Sequence, residues 1–210
     1  MNERHAMIGN YGSKCVIIQW APSIVFPGTM EMQHQSITSF KERYFGRYIP
    51  DSGMREQIAP SWLHHPDHRY YDGIAFEPNE DEVIVKEDGR RFMNLWRGWG
   101  VKPKAGDWSL IHAHIYDVLA AGNQAFGDYI IRWCAWKFQN PGEPNEVALA
   151  VRGGKGTGKG AFGQVLLRIF GQHGLQIFSA NHLYGKHNKH LQDKLYLNLW
   201  RKQHNQTPVV

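Results

Sequence analysis

Val151–Gly171 reads VRGGKGTGKGAFGQVLLRIFG. Its first ten residues hold five glycines and two lysines; from Ala161 onward it turns apolar, with Phe162, Val165, Leu166, Ile169 and Phe170 at the spacing of one helical face. Glycine at that density disfavours regular structure because of its backbone entropy, whereas the second half demands a helix. Just before it, EVALAVRG carries Val147, Leu149 and Val151 and predicts a short buried parallel strand. Strand, glycine loop and helix in that order are what a phosphate cradle requires.

Gly153-x-x-x-x-Gly158-Lys159 matches the Walker A pattern. Successive backbone N–H groups wrap a triphosphate only where no Cβ intrudes, so the candidate cradle is Gly153, Gly154, Lys155, Gly156, Thr157, Gly158, Lys159 and Gly160. Lys159 is placed to reach the β- and γ-phosphates, and the N-terminus of the following helix favours the same anion. The bland alternative is a glycine-rich surface turn before a core helix. Gly160 stands where Ser or Thr ordinarily gives a hydroxyl to Mg²⁺, so the implied cofactors are ATP with Mg²⁺ held through phosphate and water.

Hydrolysis also needs carboxylates at the end of a second strand. Between Lys159 and Val210 the one acidic residue is Asp193, and it precedes the apolar run LYLNLW. Loss of such a group costs about 10²–10⁴ in rate, so binding is expected to outlast turnover. No catalytic residue is assigned.

With 210 residues, 42% hydrophobic and eight Trp, the chain can bury a core of one or two domains. A net charge of +5 is compatible with a nucleic-acid partner and equally with an ordinary solvated surface. Cys15 and Cys134 are far apart, which points to neither zinc nor a disulfide framework and fits a reducing cytoplasm. No apolar run approaches the roughly 18 residues of a membrane span.

Along the chain, AMIGNYGSKCVIIQW predicts a hairpin around Gly9, Asn10 and Gly12. PSIVFPGT is a further extended candidate, Gln35–Tyr48 a short helix, and DEVIVKEDGRRFMNLW a second hairpin about an Asp-Gly turn. Leu110, Ile111, His114, Ile115, Val118 and Leu119 predict a helix capped by Asp107 or Ser109 and stopped by Gly122. Phe126, Tyr129, Ile130, Trp133, Cys134 and Trp136 predict a second with a broad apolar stripe, read chiefly as core. The resulting division is a β-rich region over 1–104, a helical segment over 105–142 and a partial P-loop core over 143–210, an α+β chain in all.

Other clusters carry weaker signals. His64, His65 and His68 beside Asp67 read as a solvated loop sooner than a metal site, and His112 and His114 as structural. Lys186, Lys189 and Lys194, with His187 and His190, are candidate phosphate-backbone contacts or a solvated face. WRGWG and IIRWCAWKF offer rings that could stack bases.

NLWRGWGVKP, DYIIRWCAWKFQNP and VALAVRGGKGTGKGAFG, followed by HLYGKHNKHLQD, together resemble the phage and prophage primase-helicase ATPases of superfamily 3. That resemblance implies a helical segment before a RecA/AAA+-type ATPase core, ATP as ligand, and, in complete members, a ring that translocates on DNA. It also implies an upstream catalytic region and a downstream acidic pair, sensor and arginine finger, so the chain is expected to be a truncated or frameshifted remnant. Three functions follow as expectations: an ATP-binding module of a replicative helicase with little or no hydrolysis alone, a non-catalytic DNA-binding or subunit-interaction remnant, and a small P-loop kinase.

Overall fold

The computed structural model describes residues 1–22, 30–50, 55–154, 156–178, 183 and 189–199. The fold is mixed α+β and divides into two compact units, Met1–Trp96 and Arg97–Val210.

In the first unit, β1 (His5–Ile8) and β2 (Val16–Pro22) form the hairpin expected from the Gly/Asn turn, with Ile8 opposite Val16. Gly12 and Ser13 turn the chain at φ of 59° and 66°. β3 (Met30–Gln35) extends β2 antiparallel, and β4 (Tyr70–Tyr71) adds to β1 parallel, giving the order β3-β2-β1-β4. Because side chains alternate along a strand, Ala6, Ile8, Val16 and Ile18 meet Tyr71, Met93 and Leu95 on one face. Ile17 meets Phe40, Ala59 and Trp62 on the other. Those partners come from α1 (Ile37–Arg43), capped by the Ser36 hydroxyl accepting from Ser39 N at 3.0 Å, and α2 (Ile58–His64). A second sheet orders β5 (Gly73–Ala75), β7 (Arg91–Asn94) and β6 (Val83–Val85), the last two forming the hairpin expected about Asp88-Gly89. PSIVFPGT lies, apart from Pro22, outside the described residues.

In the second unit, α3 (Ser109–Ala113) runs into a π-helical turn over His114–Leu119. α4 (Gln124–Gln139) follows, with Asn123 accepting from Phe126 N at 3.1 Å as its cap. The helix after the glycine loop is α5 (Lys159–Phe170), and β8 (Gly174–Ile177) pairs parallel with β9 (Tyr196–Leu199) beside it. Ile115, Ile130, Phe162, Leu166 and Phe170 form the core. Trp99, Phe138 and Tyr196 pack their rings around Phe170 at centroid distances of 5.6, 5.4 and 5.2 Å.

Three expectations are corrected. Residues 147–151 are not a strand: they pair with no strand among the described residues, and Val147 and Val151 are 52% and 40% exposed. Alternating apolar residues supply a strand's surface but not the neighbour that must accept its hydrogen bonds. The 110–119 helix buries Ile115 only, while Leu110 is 85% exposed, because the switch to π geometry rotates the face that the 3.6-residue period would have aligned. Its N-cap is Trp108, and Asp107 instead accepts from Ser109 N at 2.9 Å. On α4, Ile130 is buried but Phe126, Tyr129 and Trp136 are exposed, so the apolar stripe is wider than the core that receives it.

Candidate phosphate-binding site

The glycine loop enters without regular structure at Gly153 and Gly154 and turns through left-handed backbone at Gly156 (φ 83°) and Gly158 (φ 76°). Only glycine takes that conformation without strain, which explains the residue type at both positions. Lys159 then opens α5, with Gly158 as its N-cap and with Ala161 N donating to the Gly158 carbonyl at 2.9 Å. Gly160 sits in the first turn and presents no hydroxyl. Lys155 lies outside the described residues.

The Lys159 ammonium is folded over the loop. Its Nζ donates to the Gly153 carbonyl at 2.9 Å, the Gly154 carbonyl at 2.6 Å and the Thr157 hydroxyl at 2.8 Å. Thr157 Oγ1 in turn donates to Gly154 O at 3.0 Å. A single cation thus gathers the turn from both sides. The residues fit a phosphate: a glycine turn open at Gly156, where an added Cβ would meet nothing within 4 Å, a lysine at the helix start, and the N-terminus of a helix of 12 residues.

A histidine supports the loop from the π-helical turn. His114 Nε2 donates to Gly158 O at 3.1 Å, and its ring lies so near that a Cβ on Gly158 would fall 2.4 Å from His114 Cε1. On sequence alone His114 reads as structural, since no local signal links residues 44 apart. His112 points elsewhere, stacked on Tyr116 at 4.4 Å.

Asp193 lies at the other end of α5. It is 8% exposed, pairs with Lys194 at 2.9 Å, and its carbonyl accepts from His173 Nδ1 at 2.7 Å, just beyond the helix C-terminus. At 1.5 Å per residue that is roughly 18 Å from Lys159. Burial holds His173 below its usual pKa, so the ring is neutral, with Nε2 accepting from Arg97 N at 3.0 Å. Lys194 Nζ also donates to Gln172 O at 2.6 Å, and its side chain is 12% exposed, so its charge is engaged inside the unit. Lys186 is outside the described residues, and Lys189 opens a short 3₁₀ turn.

Among the described residues no cluster of three or more His, Cys, Asp or Glu could hold a metal, HHPDH included. None of their helices is long and apolar enough to cross a membrane. Cys15 and Cys134 are free.

The fold defines an α+β class in which a glycine loop opens the helix laid against a parallel strand pair. No protein-family model matches the chain, and no curated protein matches it. Solved structures do. The apo NrS-1 C-terminal region (305–718) aligns over 87% of this chain and 42% of that one, with 23% identity and a TM-score of 0.58. Its A form aligns over 97% of this chain and 45% of the other, at 19% identity and a TM-score of 0.63. A further A-form structure of residues 305–718 gives 94% and 44% coverage, 22% identity and a TM-score of 0.61. At these identities the likeness is one of fold, and the chain spans less than half the length of the structures it matches.

Proposed function

We propose that this chain is a nucleotide-binding module of a phage-type replication protein, which binds ATP at Gly153–Gly160 and turns it over slowly or not at all by itself. The observation that carries the reading is the left-handed Gly158 followed directly by Lys159 at the start of α5. The fold likeness to the NrS-1 C-terminal region and the motif order that resembles superfamily 3 primase-helicases both support it.

In this reading Lys159 leaves the Gly153 and Gly154 carbonyls for the phosphate oxygens, exchanging neutral acceptors for charged ones. Thr157 loses a donor in the same movement, which frees its hydroxyl to turn toward the ligand. Mg²⁺, which would supply charge neutralisation on the phosphates, would find no side-chain ligand at Gly160. Among the described residues from Lys159 onward, Asp193 is the only carboxylate, and at a helix length away it does not reach an attacking water at the loop. DNA contact and ring assembly belong to this reading as partners of a complete protein.

The test is calorimetry of ATP, with and without Mg²⁺, on the wild type and on Lys159→Ala, with phosphate release followed in parallel. The expected result is binding weakened by about 2 kcal/mol, roughly thirtyfold, in the variant, and release no faster than in buffer. Phosphate transfer to an acceptor would favour the small-kinase reading. Binding that ignores Lys159, beside intact DNA affinity, would favour the non-catalytic remnant.

A further inference from the structure

Tyr129 and Trp136 stand 49% and 47% exposed on the outer face of α4, and Phe126 is 64% exposed in its first turn. The inner face is already occupied by Ile130, Trp133 and Phe138, with Trp133 Nε1 tied to Val147 O at 2.8 Å. At 100° per residue, Tyr129 and Trp136 lie within about 20° of one another and about 10 Å apart along the axis. Exposed Arg132 sits between them. No exposed aliphatic residue larger than Ala lies on this helix, so the face lacks the knobs a packed helix partner would need.

The preceding helix carries an aromatic cluster of its own. Trp108, 53% exposed, meets His112 edge-on at 5.0 Å, and His112 stacks on Tyr116. The Tyr116 ring reaches α4 at Gly127, where a Cβ would fall 2.2 Å from it. Asp128, the one carboxylate of α4, accepts from the Tyr116 hydroxyl at 2.6 Å and from Gln124 at 3.2 Å, both through Oδ1.

Charge supplies the partner. Residues 97–210 hold fourteen Lys and Arg against six Asp and Glu, whereas residues 1–96 hold ten against thirteen. The basic excess belongs wholly to the unit that carries the rings, which selects a polyanion over a neutral or cationic surface. Flat rings at two-turn spacing with a guanidinium between them complement unpaired bases joined by phosphates, since every base offers a π face and every linkage a negative charge. We infer that the outer face of α4, through Tyr129, Arg132 and Trp136, is a stacking surface for single-stranded nucleic acid. It stands apart from the phosphate loop and does not rest on nucleotide binding there.

The experiment is fluorescence anisotropy of a labelled oligothymidylate of roughly 15 nucleotides, titrated with the full chain at several salt concentrations, with its duplex form as comparison. Tyr129→Ala and Trp136→Ala are each expected to weaken binding about tenfold, while Tyr129→Phe and Trp136→Phe, which keep a ring, retain it. Arg132→Ala lowers the salt slope by about 0.7. Failure of the wild type to bind the strand, or alanine variants that bind as well as the wild type, would overturn the inference. So would a wild-type dimer that Trp136→Ala converts to monomer with strand affinity intact, because the face would then belong to a second copy of the chain.

Discussion

His114 Nε2 donates to the main-chain oxygen of Gly158 across 3.1 Å, and the two residues are 44 apart in sequence. The contact fixes one end of the glycine loop to a π-helical turn that the helix could have avoided by remaining α. Such turns are rare and gather at functional sites.

Gly158→Ala therefore meets two separate penalties. Left-handed backbone costs a non-glycine residue about 1–2 kcal/mol, and the new methyl would lie 2.4 Å from His114 Cε1. His114→Ala removes the second penalty and leaves the first. Thermal unfolding of both single variants and the double variant should show positive coupling of about 1 kcal/mol. Strict additivity would mean that the ring does not press on Gly158.

A second close approach lies at the far end of α5. A Cβ on Gly100 would sit 2.4 Å from Arg168 O and 2.5 Å from Gly171 Cα, and one on Gly171 would sit 2.6 Å from Gly100 Cα. Gly100 N also donates to Ile169 O at 2.8 Å. The obstacles are backbone atoms, which cannot rotate aside. Gly100→Ala and Gly171→Ala are each expected to lose about 2 kcal/mol or more in urea unfolding, and the double variant less than their sum.

Gly163 faces a softer neighbour. Its added Cβ would lie 2.5 Å from Asn198 Nδ2, a buried amide nitrogen with no hydrogen-bond partner among the described residues. A buried donor left unpaired costs about 1–3 kcal/mol. Asn198→Ala is expected to be neutral or stabilising, and Gly163→Ala to be tolerated only in that background. Equal damage from Gly163→Ala in both backgrounds would show that β9 packs on α5 through other atoms.

Burial holds His173 below its ordinary pKa, and it does the same to His5 in the other unit. In the unfolded chain each titrates near 6.5. Below that value the unfolded state binds more protons, so stability is fully present above about pH 6.5 and falls as pH decreases toward the folded-state values. The slope reaches at most about 1.4 kcal/mol per pH unit for each histidine. Denaturant unfolding at successive pH values should show this fall, and His173→Asn, which does not titrate, should flatten its own share. A wild-type profile that stays level from neutral to acidic pH would refute it.

The parts of the fold that sequence made legible are those decided locally. Asn10 and Gly12 announce one hairpin, Asp88 and Gly89 another, and the glycine loop places α5 within its observed bounds. What was hidden depends on partners distant in sequence. Val147, Leu149 and Val151 alternate as a strand does, yet strands need neighbours and these residues have none described. The outward rings of α4 follow helical periodicity like core residues, and only the packing of Ile130 and Phe138 shows which side faces in. Within the candidate site the loop was readable from Gly153 to Lys159, while His114 was not, because a lone histidine on a helix carries no spacing signal.

The parallel pairing of β8 with β9 has a consequence for the chain while it is being made. β8 has β9 as its sole hydrogen-bonded neighbour among the described residues, and β9 arrives only after a connection running from 178 to 195. At about 5–20 residues per second, Leu175 and Ile177 are made on the order of 1–4 s before the strand that completes their sheet. Until β9 is made, both edges of β8 lack a hydrogen-bonded neighbour among the described residues. Translation speed through this connection, set by codons and not by the residues they encode, thus enters the yield of folded protein.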